Sequence, residues 1–317
     1  AVGIVGILIQ WYSGQLDAEA NLGLVFTVYL IGAFIAGFCM CILNCVVNPM
    51  LNLLGGGGNK GNQLIQIGGV FNSSAAVAVY ILMGALIGEV TKDTKIADAT
   101  PALMIALAIF VVAFIVILFT KIEEPEQAPV DVSLIKGAVK YRHFVLGVLG
   151  IFLYMGIEVG TPTYILQYLT NEKGMAASTV GLIVAVYWLM MLFGRFIGGA
   201  IGGKVSSRTQ ITVVSALTIV LVLFGMFAPE TSTVDVPTIN WATLKFGSES
   251  VPMGIFAFLL VGLCTSVMWG GIFNMAVEGL GKYTAAASGI FMTMVFGCAV
   301  MVALQAWVAD ATGGNYL

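Results

Sequence analysis

Apolar residues come in long blocks along this chain, and polar, Gly/Pro-rich or charged breaks separate them. Blocks of this kind suit helices that cross about 30 Å of hydrocarbon at about 1.5 Å per residue. The pattern predicts nine such helices, over residues 2–15, 22–47, 63–88, 100–120, 145–169, 178–200, 209–228, 252–277 and 285–309. The breaks are Asn48-Pro49 with Gly55–Gly58, Lys92–Asp98, Lys121–His143, Asn171–Gly174, Lys204–Arg208, Pro229–Ser250 and Gly279–Tyr283. Pro49 is expected to end or kink its helix, and Pro229–Ser250 reads as a loop. The first block begins at Ala1 without a preceding Met, so the expectation is a fragment whose outer helices are absent.

Composition turns the pattern into a class. The chain is 59% hydrophobic and 9% charged, whereas soluble domains are about a quarter charged. An all-α polytopic membrane protein follows, with the lipid bilayer as its first partner. The net charge of −3 is uninformative about nucleic acid, and the sequence has no basic arm to bind it.

Charge also sets the orientation. Alternate loops share a side, and one set holds Lys60, Lys121, Lys136, Lys140, Arg142, Lys204, Arg208 and Lys282. The other holds Lys92, Lys95, Lys173 and Lys245, so the richer set is assigned to the cytoplasm. The longest cytoplasmic connection, residues 121–144, carries Glu123, Glu124, Pro125, Glu126 and Pro129 and is expected to be extended or locally helical. It separates a first helix bundle (1–120) from a second (145–317), an arrangement that transporters use.

Candidate chemistry is sparse. Cys39, Cys41, Cys45, Cys264 and Cys298 lie within apolar runs, without accompanying His or carboxylate, and read as packing. No metal or cofactor is expected. His143 is the only histidine and sits in the linker, so a histidine relay is excluded within these residues. The run from Gly55 to Gly61 resembles a phosphate loop superficially, but Asn62 stands after Gly61 and no strand precedes it.

Glu158 is the exception, near the middle of the apolar run Phe144–Tyr168. A carboxylate at bilayer depth costs about 2.5–3.5 kcal/mol on insertion scales. It persists when paired, when facing water, or when holding a proton. Tyr154, Glu158 and Thr161 fall at i, i+4 and i+7 on one stripe, with Gly160 and Pro162 beside them as a bend. That combination favours a cavity lining. Asn44 and Asn48 share a face of the second helix, as helix–helix glue or as a polar lining. In the third helix Gln66 and Ser73 share a face and Asn72 points elsewhere. Trp269 and Asn274 in the eighth helix, and Asn240 in an outer loop, are side chains suited to a sugar. Arg195, near the cytoplasmic end of the sixth helix, either snorkels to the interface or pairs with an acid in a gate. Glu278 lies near the same interface and is expected to stay charged there.

Asn48-Pro49 with its Gly-containing loop, Phe71-Asn72-Ser73, Leu153 to Glu158, Gly194-Arg195-Phe196, Leu280 to Tyr283 and Ala303–Gly313 form an ordered set. That set resembles the fucose–galactose–glucose:proton symporters of the major facilitator superfamily across nearly the whole chain. The resemblance implies twelve helices in two halves with alternating access, and maps these nine spans to family helices three to eleven. Helices one, two and twelve would be absent. Asn44, Asn48, Glu158, Trp269 and Asn274 would then lie on cavity-lining helices.

Three positions depart from the fucose transporter. It has a glutamate where this chain has Asn44, a glutamine where this chain has Gly69, and a glutamine where this chain has Glu158. The resemblance thus implies an acid exchanged between the halves. Glu158 is therefore the candidate proton-coupling group or a direct sugar ligand. The candidate substrate residues are Asn44, Asn48, Gln66, Asn72, Tyr154, Glu158, Thr161, Trp269 and Asn274, and the gate or anchor residues are Arg195 and Glu278.

The leading expectation is proton-coupled symport of a neutral monosaccharide (glucose, galactose or fucose) by a monomer in a bacterial inner membrane. A membrane sugar sensor of the same fold is the alternative. An intramembrane enzyme lacks a metal-ligand set, a Ser/His pair or paired acids in the sequence.

Overall fold

The computed structural model describes residues 1–17, 21–86, 94–121, 132–229, 231–240 and 245–313. Its helices are α1 (Val2–Ser13), α2 (Leu22–Leu54), α3 (Gly58–Leu86), α4 (Thr100–Phe119), α5 (Val132–Val139), α6 (Arg142–Gln167), α7 (Ala177–Ile201) and α8 (Ser207–Phe227). Two strands follow, β1 (Thr233–Asn240) and β2 (Lys245–Pro252), then α9 (Met253–Thr265), α10 (Met268–Val277), α11 (Thr284–Thr293) and α12 (Gly297–Ala311). Among the described residues, eight helical segments are long and apolar enough to cross a bilayer. Two of the eight are composite. Met253–Val277 joins α9 to α10, and Gly281–Ala311 carries α11 and α12. The first predicted block is α1, a shorter apolar helix of 12 residues.

Local sequence explains several boundaries. Pro101 falls in the first turn of α4, where a missing N–H costs nothing. Ser206 caps α8 by accepting a hydrogen bond from the Thr209 N–H at 3.2 Å. Gly56 and Gly57, with φ of 76° and 72°, carry the turn between α2 and α3 in a left-handed conformation that glycine adopts without strain.

Three expectations change. Pro49 does not end α2, which runs on to Leu54 and so carries Asn52 as well as Asn48 on helix. The predicted loop Pro229–Ser250 holds an antiparallel ribbon, paired from Thr233↔Pro252 to Asn240↔Lys245. Asn240 therefore ends a strand. The ribbon forms because Val236 and Val251 are buried with Ile255, Leu259, Val180 and Ile183, so this segment contributes to an apolar core. Of the glycine run, only Gly55–Gly57 forms the turn, and Gly58 already opens α3. The linker is helical over α5; residues 122–131, which include Glu123, Glu124, Pro125, Glu126 and Pro129, lie outside the described residues.

The chain divides into two compact units, 1–46 with 83–128 and 47–82 with 129–317. In the first, Gly6 of α1 lies against Gly32 and the Ala36 backbone of α2, a small-residue approach of the kind that lets membrane helices touch. Gly3 packs on Phe110 of α4. In the second unit α6 is the central element, with α7, α9, α10 and α12 packed on it. Its glycines face neighbours directly: Gly147 meets Ala276, Gly156 meets Met301, and Gly160 meets Gln305.

Candidate functional site

Glu158 lies near the middle of the span Arg142–Glu172 and is buried within the second unit. Pro162 alters the backbone bonding at this point of the helix. A proline has no N–H, so the helical bond that would end on the carbonyl four residues earlier, that of Glu158, is missing. The Tyr187 hydroxyl of α7 donates to that carbonyl instead, at 3.2 Å. The same hydroxyl contacts Thr265 Oγ1 of α9 at 3.3 Å. Tyr187 thereby ties three helices together where α6 has lost a bond. Tyr187→Phe should leave this buried carbonyl unsatisfied at a cost of about 1–3 kcal/mol. A lower unfolding midpoint in detergent, with apolar packing retained, is the expected reading.

The carboxylate itself faces Arg195. Arg195 Nη2 stands 3.6 Å from Glu158 Oε1, and the two side chains are 6% and 10% accessible. Arg195 Nη1 donates to the Gly69 carbonyl of α3 at 2.5 Å. Arg195 is thus buried and paired, not extended to an interface. The Tyr154 hydroxyl, also buried, lies beside Glu158 one turn earlier. Thr161 is half-buried one turn later.

An aromatic cluster adjoins this pair. Trp269 of α10 sits with its ring centroid 6.4 Å from Tyr154 and 6.2 Å from Phe291, and Phe291 meets Phe273 at 5.2 Å. The Trp269 indole N–H donates to Asn48 Oδ1 at 3.3 Å. Glu158, Tyr154, Trp269 and Asn48 are therefore linked through successive contacts.

Amides populate the end that the Lys/Arg bias places in the cytoplasm. Asn52 donates to Asn274 Oδ1 at 3.2 Å, and Asn274 donates to Ser207 Oγ at 3.0 Å. Gln66 donates to the Val267 carbonyl at 3.0 Å and Gln63 to the Gly199 carbonyl at 2.7 Å. Gln66 and Asn274 thus serve helix contacts here. Asn72 is exposed, apart from Gln66 and Ser73, which are buried as their spacing predicts. Asn44 is half-buried on the part of α2 that belongs to the first unit. Glu278 is exposed and lines a cavity of about 460 Å³ with His143, Arg208, Asn59 and Asn274. Among the described residues no cluster of three His, Cys, Asp or Glu side chains could hold a metal.

The sequence reading missed Tyr187, Thr265 and Asn52. Two signals were available: a proline four residues after an acid frees that acid's carbonyl, and Asn44, Asn48 and Asn52 recur at four-residue spacing.

Comparison with known proteins now places the chain. A model of the Major Facilitator Superfamily matches residues 1–305. The chain belongs to that superfamily. It is a multi-pass transporter-family protein. The glucose/galactose transporter of Brucella abortus is 27% identical over 318 aligned positions, which cover 98% of this chain and 72% of that protein. A putative glucose/galactose transporter of Helicobacter pylori is 26% identical, over 91% of this chain and 69% of its own. The L-fucose-proton symporter of Escherichia coli is 21% identical, over 91% and 67%. The crystal structure of the superfamily transporter FucP in its outward conformation superposes with a TM-score of 0.72 at 19% identity, covering 99% of this chain and 77% of that chain.

Proposed function

We propose that this chain is a proton-coupled symporter of a neutral monosaccharide, glucose, galactose or fucose, working by alternating access in a bacterial inner membrane. The observation that carries the reading is the carboxylate of Glu158, buried at mid-span beside Arg195 and the Tyr154–Trp269 aromatic pair. An acid at that depth is costly unless it is paired, hydrated or protonated, and such intramembrane acids mark proton pathways. Rings and amides suit a hydroxyl-rich, uncharged ligand, since a sugar stacks its C–H face on indole and bonds its hydroxyls to amides. The names of the Brucella abortus, Helicobacter pylori and Escherichia coli relatives support the same substrate class.

Residues 1–120 form part of one helix bundle in this reading and 145–317 part of the other, with 121–144 as the cytoplasmic linker. The protein acts as a monomer. Asn48, Tyr154, Glu158 and Trp269 are the first candidates to meet sugar, because the structure places them in one linked group. Asn44, Asn72 and Thr161 are further candidates. Gln66 and Asn274 would join only when their helix contacts open.

Glu158 would carry the proton. It is protonated in one facing state and ionised in the other, and sugar movement follows that difference. The test is accumulation of labelled glucose, galactose or fucose by the intact transporter in liposomes under an inward proton gradient. At least one sugar should accumulate, and a protonophore should abolish the gain. Binding without accumulation would point to the sensor reading.

A further inference from the structure

We propose that Arg195 is the positioning residue through which the charge of Glu158 reaches α3. An ionised Glu158 holds the guanidinium, the guanidinium holds the Gly69 carbonyl, and loss of the negative charge loosens the α3–α7 contact. The inference rests on Glu158 being the proton carrier.

One guanidinium serves two acceptors on two helices other than its own, Glu158 Oε1 of α6 and the Gly69 carbonyl of α3. Its planar, forked donors are fixed relative to one another, so a movement demanded by one acceptor is felt at the other. Gly69 is shaped for this contact. A Cβ there would lie 2.8 Å from Arg195 Nη1, 3.0 Å from Cδ and 3.1 Å from Cζ, so any side chain displaces the guanidinium. The acidic partner is not replaceable locally. Among the described residues, the groups acting on the Glu158 carboxyl are Arg195 from α7 and Tyr154 from its own helix. Tyr187 of α7 stands next to them and Cys264 of α9 beyond it, and α10 and α12, which also pack on α6, add no charge there.

A second observation concerns the face of α3 that this clamp holds. Asn62 is fully buried with neither amide atom partnered, and the Ser73 hydroxyl is buried and unpartnered. Asn62 lies against Gly270 of α10, where a Cβ would come within 2.8 Å of its Oδ1. Polar groups buried without partners regain water when a contact opens, so this face of α3 is poised for a change in one ion pair to tip it. The remaining bonds from α3, Gln63 to Gly199 and Gln66 to Val267, are single amide-to-carbonyl bonds that water can replace.

The test is the alkylation rate of a cysteine at the α3–α7 contact. Q63C is introduced into the intact transporter with the five native cysteines replaced, and N-ethylmaleimide labelling is read by peptide mass spectrometry. E158Q, R195Q and G69A should each raise the rate by about tenfold, equivalent to about 1.4 kcal/mol. The double variant E158Q/R195Q should be no faster than either single variant. R195K, which keeps the charge but not the fork, should also label faster. In the parent the rate should rise as pH falls, and in E158Q it should stay at the high value. An unchanged rate in E158Q, additive effects in the double variant, or a pH response that survives E158Q would overturn the proposal. Proton-driven uptake is measured on the same variants. Loss of accumulation in E158Q without a labelling change sinks the clamp and leaves the transport reading. Faster labelling with accumulation intact keeps the clamp and sinks the proton role.

Discussion

Glu158→Gln should abolish proton-driven sugar accumulation while leaving sugar exchange across the membrane in place. Glutamine keeps the size and hydrogen-bonding atoms of a protonated glutamate but cannot release a proton. Sugar can still bind Trp269, Tyr154 and Asn48, and the helices can still move, so labelled sugar should equilibrate against an unlabelled pool. What disappears is the drive. One proton crossing 100 mV supplies about 2.3 kcal/mol, which sustains a concentration ratio of about 50. The variant should level at a ratio of about 1, a loss of the whole factor.

The second large effect is on stability. Gly194→Val and Gly262→Val should each prevent α7 and α9 from closing on one another. A Cβ at Gly262 would run into the Tyr187 carbonyl oxygen, with the carbonyl carbon and ring Cδ2 both at 3.1 Å. At Gly194 it would meet the Leu263 carbonyl and Ser266 Oγ, with Ser266 Cβ at 2.7 Å. Backbone cannot swing aside as a flexible side chain does, so the helices must separate. Overpacking in a tight core typically costs about 1–3 kcal/mol, and the displaced helix here also carries Tyr187 and Arg195. A lower unfolding midpoint and aggregation in detergent are expected by fluorescence-detected chromatography. Gly181→Ala is the control on the same helix. A Cβ there meets nothing within 4 Å, so the midpoint should hold or rise, because alanine favours helix over glycine by about 1 kcal/mol.

The helical framework was legible in the sequence because each apolar block must satisfy its own backbone in hydrocarbon, and length alone then announces it. The ribbon was not. Residues 229–250 are rich in Ser, Thr and Pro, and among the described residues Val236 and Val251 are the apolar side chains that mark its buried side. Glu158 announced itself, since a lone acid in an apolar run has few explanations. Tyr154 followed from helical spacing, one turn away. Arg195 did not, because its place near the end of α7 equally allows the side chain to reach an interface. Only the positions of α6 and of α3, whose Gly69 is 126 residues distant in sequence, show what it binds. Gly69 was visible as a missing side chain, and its use as the seat of a guanidinium was not. Asn52 escaped because the second helix was expected over 22–47, and it continues past Pro49 to Leu54.

Proton movement itself tests the central claim most directly. Liposomes that hold the intact transporter and an entrapped pH dye, with no preset gradient, are given glucose, galactose or fucose. Inward sugar flow through a symporter carries protons, so the transported sugar should acidify the lumen, and Glu158→Gln should remove the signal while exchange of labelled sugar continues. Sugar entry without acidification in the parent protein, or acidification undiminished in Glu158→Gln, would contradict the account.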